Sequence, residues 1–203
     1  MKKKLIRVLT WALKKLAQLT IAKYRPGVIG ITGSVGKTST KLAIAEVLRS
    51  ERNMRASSAN FNNEIGLPLT ILGPWTRISG ILFWPKVICV SIWRLIFPSD
   101  YPEILILEYG VDRPGDMKYL LSIVRPNISV ATAIGEIPVH VEFFSGPEEV
   151  AREKGRLAEC LPSEGFAVLN ADDTEVMEIK ERTRAHIMTF GFSRDARVKI
   201  SDF

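Results

Sequence analysis

Short apolar runs alternate with stretches of helical spacing along most of the chain after residue 27. In the longer stretches, apolar residues recur every three or four positions, which is typical of amphipathic helices. The alternation predicts an α/β fold with a mostly parallel sheet flanked by helices on both faces. The predicted strands lie at 28–29, 104–107, 128–134, 167–169, 187–190 and 198–200, and the predicted helices at 42–48, 117–124, 148–161 and 174–184.

The first residues have a different pattern, which predicts a basic amphipathic helix over residues 2–24 in a separate N-terminal segment, residues 1–26. Lys14 and Lys15 interrupt the apolar core that a signal peptide would need. Two interpretations stay open, a helix packed on the following domain and an interfacial membrane helix. Pro26-Gly27 leads almost directly into the first strand, which slightly favours packing.

The most apolar stretch lies inside a segment of about residues 74–100, which we interpret as an insertion in the domain. Pro85, Lys86 and Arg94 count against a membrane-spanning helix here. A buried or half-buried helix is the favoured prediction. Because the stretch also contains tryptophan, a helix that faces a membrane surface or a partner stays open.

Residues 58–70 contain three asparagines, a glycine and a proline, which predicts a structured loop. Asparagine side chains both donate and accept hydrogen bonds, so they suit the recognition of a polar ligand. Plain turn chemistry explains the same residues equally well.

A glycine-rich loop between the first strand and the first helix of the domain carries the clearest candidate chemistry. Residues 32–39 read Thr-Gly-Ser-Val-Gly-Lys-Thr-Ser. In such a loop the amides and the helix N-terminus face phosphate anions, the lysine adds charge, and the next hydroxyl can ligate Mg²⁺. The general pattern has its first glycine where this chain has Ile31. The loop nevertheless predicts an ATP or GTP site formed by Gly33, Ser34, Val35, Gly36, Lys37, Thr38 and Ser39.

Other polar residues also follow predicted strands directly. Lys37, Glu108, His140 and Asn170 each come just after an apolar run. The carboxyl ends of parallel strands meet at one edge of a sheet, where ligands of open α/β sheets bind. We therefore expect these four residues to share one composite site.

The charge of the chain is uneven. Up to Arg55, thirteen Lys and Arg residues face only Glu46 and Glu51, which indicates an anionic partner such as a nucleotide or a membrane surface. No basic run interleaved with aromatic residues argues for a nucleic acid. Cys89 and Cys160 lack metal-ligand spacing, which fits a reduced, cytoplasmic setting.

Five blocks of this sequence, taken in order, resemble the central ATPase domain of the ATP-dependent Mur ligase family, and most closely its dipeptide-adding branch. The resemblance runs over nearly all of residues 28–191 and implies a P-loop-type Mur ligase central domain at 27–203, incomplete at its C-terminus. The blocks are residues 32–39, 60–70, 107–116, 140–149 together with Lys154, and 169–173.

The resemblance implies a ligase that forms an amide in peptidoglycan precursor synthesis, a step of cell-wall biogenesis on which cell shape and division depend. ATP and Mg²⁺ would be its cofactors, and a muropeptide-like carboxylate and an amino acid or dipeptide its substrates. ATP would convert the carboxylate to an acyl phosphate, which the amine then attacks. This chemistry requires charge control around an in-line phosphoryl transfer.

The resemblance also implies roles for single residues. Lys37, His140 and Lys154 would be catalytic, with Lys37 on the β- and γ-phosphates and Lys154 at a position that is often carbamylated. Thr38 and Glu108 would bind one Mg²⁺ and His140 a second. Asn170 would contact adenine beside Asp172 and Asp173, and Asn60 and Asn63 would line the substrate side.

The chain departs from the family pattern, and alternatives stay open. Only the basic helix precedes the phosphate loop, where the family has a domain for the UDP end of the substrate. The chain ends at Phe203, so we expect a fragment that does not complete the reaction alone. The alternatives are a folylpolyglutamate-type ligase, a ligase of lipid-linked muropeptides, and a non-catalytic ATP-binding module. The expected location is cytoplasmic, with peripheral contact at the inner membrane face through the N-terminal helix left open.

Overall fold

Seven parallel strands form one sheet in the order β2-β3-β1-β4-β5-β6-β7. The computed structural model describes residues 2–58, 61–135 and 141–201. The α/β prediction is confirmed, because every strand pair is parallel and helices lie on the sheet. The strands are β1 (Gly27–Thr32), β2 (Met54–Ala56), β3 (Ile104–Glu108), β4 (Ile128–Ala131), β5 (Phe166–Asn170), β6 (His186–Gly191) and β7 (Val198–Lys199).

The helices follow the predicted spacing closely, with one addition between β2 and β3. They are α1 (Lys2–Tyr24), α2 (Lys37–Leu48), α3 (Gly66–Leu72), α4 (Phe83–Ile96), α5 (Asp116–Leu121), α6 (Pro147–Glu159) and α7 (Thr174–Glu178), with short 3-10 turns at Val141–Phe143 and Ile179–Arg182. Among the helices in the described ranges, none combines the length and the hydropathy needed to cross a bilayer.

The two faces of the sheet have different cores because successive side chains of a strand point to opposite sides. On β1, Val28 joins a cluster with residues of α1, α3, α5 and α6, whereas Ile31 packs with Ala45 of α2. This alternation makes β1 the buried centre of the sheet. The loop that follows β1 is therefore held on a rigid strand.

The N-terminal helix α1 packs on the domain. Leu13 and Ala17 are completely buried, Leu13 among Leu69, Phe83 and other residues of α3 and α4. Lys14 Nζ donates to Ser122 Oγ at 2.5 Å, next to α5. The inner face of α1 therefore packs on the domain, as the first of the two interpretations expected.

One local prediction was wrong, and one strand was missed. The predicted loop at 58–70 contains the start of α3, a helix whose residues are all buried. Pro68 lies in its first turn, where a proline costs no helical hydrogen bond. Strand β2 was missed, because three half-buried residues carry no readable alternation.

Strand β4 ends earlier than the predicted strand at 128–134. After Ala131 the chain turns toward the phosphate loop, and Val35 forms an isolated bridge with Ala133. Residues 132–134, which continue the apolar run, therefore belong to the surroundings of the phosphate loop and not to the sheet.

Candidate functional site

The phosphate loop needs both of its glycines. Gly33 and Gly36 have φ values of 143° and 87°, in a region that side chains with a Cβ rarely adopt. A Cβ on Gly33 would also lie 2.0 Å from Thr132 Oγ1. The loop consequently turns tightly against the end of β4 before α2 begins.

Hydrogen bonds from the end of β4 hold this loop in place. The Ser34 amide donates to the Ala133 carbonyl at 2.6 Å, and Thr132 Oγ1 lies 2.7 Å from the Val35 carbonyl, to which it donates. Thr132 and Ala133 are thus part of the loop's support, although the sequence placed them in a strand.

Lys37 lies over the loop at the start of α2. Its Nζ donates to the carbonyls of Gly33 at 2.8 Å and Ser34 at 3.2 Å. Burial lowers the pKa of Lys37, and the negative charges of Glu108 and Asp112 partly oppose this shift. The ammonium therefore sits where the loop turns, close to two carboxylates.

Glu108 ends β3 beside the phosphate loop, and donors contact both of its carboxylate oxygens. It is 3% exposed. Oε2 accepts from Lys41 Nζ at 3.2 Å and from Thr38 Oγ1 at 3.3 Å, and Oε1 accepts from Asn62 Nδ2 at 3.3 Å. A buried carboxylate needs such partners, and here they fix its orientation toward the start of α2.

Lys154 of α6 reaches the loop from the other side. Its Nζ donates to Ser34 Oγ at 2.8 Å, and the residue is 3% exposed. Burial and the like charge of Lys37 lower its pKa to about 8, against the opposing effect of Asp112 and Asp173. A lysine with this pKa has a larger neutral fraction near neutral pH than an ordinary lysine, and the neutral amine is the form that reacts with electrophiles.

The end of β5 forms an adjoining polar loop. Asn170 Oδ1 accepts from the Asp172 amide at 3.0 Å. Asp173 caps α7 by accepting from the Val176 amide at 3.0 Å, and its other oxygen accepts from the Ile134 and Gly135 amides, each at 2.8 Å. Asp173 therefore ties the segment after β4 to the loop after β5.

A cleft of about 910 Å³ lies beside Glu108 and opens between α1, α5 and the segment before α3. Asn63 lines it, and its Oδ1 accepts from the Gly66 amide at 2.9 Å, so this side chain also begins α3. Arg7 and Arg113 bring positive charge to the lining.

The predicted residues divide into three groups. Lys37, Thr38, Glu108 and Lys154 meet around the loop, and the loop residues Gly33–Ser39 lie among them. Asn170 ends β5 and Asn63 lies between β2 and α3, so these two asparagines belong to segments that follow strands on opposite sides of β1. Asn60 and His140 fall outside the described residues, so their predicted roles stay predictions.

Sequence reasoning missed three residues of this site. Lys41 lies one helical turn after Lys37, Asn62 was grouped with its neighbours without a role, and Asp112 follows β3 by four residues. The position of Lys41 on α2, four residues beyond the loop lysine, was a readable signal. The other two could be found only from their spatial approach to Glu108 and the lysines.

Thr38 and Glu108 suit a hard cation. Hydroxyl and carboxylate oxygens are the ligands that Mg²⁺ accepts in sites where substrate phosphates complete the coordination. Their oxygens lie 3.3 Å apart at the mouth of the loop. Within the described ranges, no cluster of three or more His, Cys, Asp or Glu side chains forms a self-sufficient metal cage.

Most of the chain matches a known protein family. The model described as the Mur ligase middle domain matches residues 31–75 and 94–203, which include the phosphate loop, Glu108 and Lys154. Most of α4 and the whole of α1 lie outside the two matched ranges.

Individual relatives agree with the family model. The curated UDP-N-acetylmuramoyl-tripeptide–D-alanyl-D-alanine ligase of Mycobacterium leprae is 34% identical over 180 residues, covering 87% of this chain and 30% of that protein. The ligase of the same name from Rickettsia prowazekii is 31% identical over 193 residues, covering 93% and 37%. The chain thus spans about a third of the length of the curated relatives it matches.

A solved structure gives the same result. The MurF ligase from Thermotoga maritima, in complex with ADP, superposes with a TM-score of 0.69 at 26% identity, over 91% of this chain and 37% of that one. The resemblance to the dipeptide-adding branch is therefore confirmed. Because the family model covers most of the sequence, including the phosphate loop and Glu108, the chain belongs to the Mur ligase family through its middle domain.

Proposed function

We propose that this chain is the ATP-binding domain of a ligase that joins a muropeptide carboxylate to the amine of a dipeptide. The observation that carries the proposal is the Thr38–Glu108 pair at the mouth of the phosphate loop, 3.3 Å apart. A hydroxyl and a buried carboxylate beside a loop lysine form the arrangement that phosphoryl transfer requires. The names of the relatives supply the substrate class, UDP-N-acetylmuramoyl-tripeptide and D-alanyl-D-alanine.

The loop residues would bind and orient ATP. The helix N-terminus at Lys37 and the loop amides that face outward attract the phosphates, and the Lys37 ammonium would leave the loop carbonyls to contact the terminal phosphate oxygens. Asn170, on the loop after β5, would meet the adenine. Holding both reactants in line lowers the entropic part of the barrier.

Thr38 and Glu108 would hold Mg²⁺ with the nucleotide. When bound, the ion neutralises negative charge that builds up on the phosphate oxygens. Lys41 holds the Glu108 carboxylate toward the loop through its 3.2 Å contact. His140 remains the proposed ligand of a second Mg²⁺ near the substrate carboxylate.

Lys154 would act next to the γ-phosphate. Its pKa of about 8 raises the unprotonated fraction of the amine above that of an ordinary lysine, and the unprotonated amine is the form that adds carbon dioxide. Carbamylation would exchange a cation for an anion at this point and would add carboxylate oxygens to the site. We keep this modification as a proposal for Lys154.

The cleft beside Glu108 is the proposed site of the carboxylate substrate. Arg7 and Arg113 would pair with carboxylates of the muropeptide, and Asn62 and Asn63 offer amide groups. The acidic Glu64, Asp112 and Asp116 of the same lining would face polar or basic groups of the muropeptide. Asn60 stays a proposed contact on the same side. The reaction belongs to peptidoglycan precursor synthesis, for which a cytoplasmic location is proposed.

Calorimetry with Mg²⁺ and ATP tests the nucleotide site of this chain. Binding should be lost in Lys37→Ala and in Glu108→Gln and kept in Lys180→Ala, an exposed lysine on a 3-10 turn. Binding that survives both site substitutions would contradict the composite site.

Amide formation is tested separately with the full-length protein. Release of ADP and of the joined product from UDP-N-acetylmuramoyl-tripeptide and D-alanyl-D-alanine would support the ligase. ATP binding without any amide product, for this acceptor or for a panel of amino acids, would favour the non-catalytic module.

The expected contact of α1 with a membrane stays a narrower proposal. Lys14 and Leu13 of this helix pack on the domain, which occupies its inner side. Any contact with lipid therefore involves the outer side of α1 and the helix beside it.

A further inference from the structure

The outer side of α4 is an exposed apolar stripe. Exposed residues recur at helical spacing, three and four positions apart, along a single face of this helix. Leu82, just before the helix, is 77% exposed, Trp93 is 61% exposed and Ile96 is 67% exposed. Large apolar side chains at this exposure form a patch that typical soluble surfaces avoid. The α4 face consists of Leu82, Lys86, Cys89, Trp93 and Ile96.

The opposite side of α4 is anchored, so the stripe has a fixed orientation. Phe83, Val87 and Ser91 are buried against the domain. Arg94 Nη1 donates to the Leu72 carbonyl at 2.8 Å, which ties the end of α4 to α3. The α4 face cannot turn inward without breaking this packing.

Helix α1 runs beside α4 and adds positive charge. Lys23 Nζ donates to the carbonyls of Arg94 at 2.6 Å and Phe97 at 3.0 Å, so the C-terminal ends of the two helices meet. Residues 2–24 contain seven basic residues and no acidic one, and residues 74–99 contain three basic residues and no acidic one. The surroundings of the stripe therefore select an anionic partner.

The family comparison separates these helices from the shared domain. The matched ranges leave out residues 76–93 and everything before residue 31. Most of the α4 face and the basic residues of α1 therefore lie outside the matched ranges of the family model.

We propose that the α4 face, with the exposed Lys4 and Lys15 of α1, binds the surface of an anionic lipid bilayer. A helix that is apolar on one side and anchored to a domain on the other lies in the plane of the interface. Trp93 and Trp11 of α1, which is 61% exposed, suit the headgroup level. Lysines near an anionic surface strengthen the binding further.

A second copy of the chain is a poorer occupant of the α4 face. Symmetric pairing places the same patch of both copies in one interface, so Lys86 and the lysines of α1 would meet a surface to which residues 2–24 and 74–99 contribute no acidic partner. Like charges brought together this way oppose association. A layer of anionic headgroups would instead attract these lysines.

Vesicle flotation tests the proposal with the intact polypeptide. We expect at least a tenfold stronger association with vesicles that contain about one third phosphatidylglycerol than with pure phosphatidylcholine, because the basic residues add to the apolar contact. Trp93→Ser with Ile96→Ser should lower binding at least about tenfold, since two large apolar side chains are lost. Lys86→Glu should lower binding only to the anionic vesicles.

Matched controls lie elsewhere on the surface. Val47 of α2 is 74% exposed, and Val47→Ser should leave binding unchanged. Arg184→Glu, an exposed reversal near β6, controls for net charge. An environment-sensitive dye attached to Cys89 would lie directly on the α4 face, and the emission of the dye should shift to the blue with anionic vesicles.

Several results would overturn the proposal. These are equal binding to neutral and anionic vesicles, no binding at all, or an unshifted dye on Cys89. Concentration-dependent dimerisation that Trp93→Ser abolishes would assign the face to a second copy, and burial of Cys89 by further residues of a longer polypeptide would assign it to that polypeptide. MgATP binding should be unchanged in all face variants, so failure here leaves the proposed ligase untouched.

Discussion

Around Glu108, charged groups are buried and paired, whereas along the α4 face large apolar groups are exposed. Glu108 is 3% exposed and receives three donors, while Trp93 is 61% exposed. Burial of charge is costly unless partners compensate, and exposure of apolar surface is costly unless a partner covers it. Each arrangement lowers the stability of the folded protein unless a partner compensates, so each indicates a role other than stabilising the fold.

The two regions also differ in their relation to the family. The matched ranges include Glu108 and the phosphate loop but leave out most of α4. The region inside the matched ranges supplies the proposed chemistry, and the region outside them supplies a proposed location for it. Helix α1 connects the two, since Arg7 lines the cleft and Lys23 contacts the end of α4.

The largest expected effect comes from separating the buried ion pair. Glu108→Gln should lower the free energy of unfolding by about 3–5 kcal/mol, because Lys41 would remain charged and unpaired in a buried site. Urea denaturation measures this loss. Adding Lys41→Met to Glu108→Gln should restore much of the stability, and a double variant no better than the single one would contradict the pairing.

Substitutions in α1 test whether this helix, which lies outside the matched ranges, is part of the folded domain. Leu13 is 0% exposed and Leu19 is 55% exposed on the same helix. Leu13→Ala should cost about 3 kcal/mol of unfolding free energy through lost burial and a cavity, and Leu19→Ala less than about 0.5 kcal/mol. Equal effects of the two changes would mean that α1 does not pack as described.

Nucleotide affinity should depend on the loop lysine. Lys37→Ala should raise the Kd for MgATP about 100-fold, since a charge-assisted hydrogen bond contributes roughly 1.5–3 kcal/mol. Calorimetry at matched ionic strength measures the change, with Lys180→Ala as the exposed control. A change below threefold would argue against phosphate binding by this loop.

The pH dependence of Lys154 gives a more subtle test. Competitive labelling of amines, read by mass spectrometry, should give Lys154 a midpoint near its pKa of about 8, well below exposed lysines. Lys37→Ala should move that midpoint upward, because a like charge is removed. A midpoint at the ordinary lysine value would contradict the burial of this amine.

The same shift sets the sign of a stability effect. Between pH 8 and the ordinary lysine value, the unfolded chain binds more protons at Lys154 than the folded chain does. The contribution of Lys154 to the free energy of unfolding should therefore rise with pH through this range. Lys154→Met should remove that rise.

The smallest effect is expected on the α4 face. Trp93→Ser should change the free energy of unfolding by less than about 0.5 kcal/mol, because an exposed side chain contributes little to the fold. MgATP affinity should also stay the same. A large loss of stability would show that Trp93 packs within the protein and would remove the contrast between the two regions.

Sequence patterns predicted the elements that have strong periodicity or distinct turn chemistry. The strands that lead to Glu108 and Asn170 were recognised as apolar runs. Strand β2 and helix α3 were not, since each depends on neighbours. Gly66 of α3, for example, lies so close to Phe61 that a Cβ would be 2.3 Å from its Cα.

The sequence by itself determined the α/β alternation, the phosphate loop and the placement of Lys37 and Glu108 just after strands, because local propensity and turn chemistry act within short stretches of chain. Tertiary structure alone decided that Lys41 pairs with Glu108, that Lys154 reaches Ser34 across 120 positions, and which side of α4 stays exposed. Those outcomes depend on the crossing of distant elements, and packing fixes that crossing only when the whole sheet has formed.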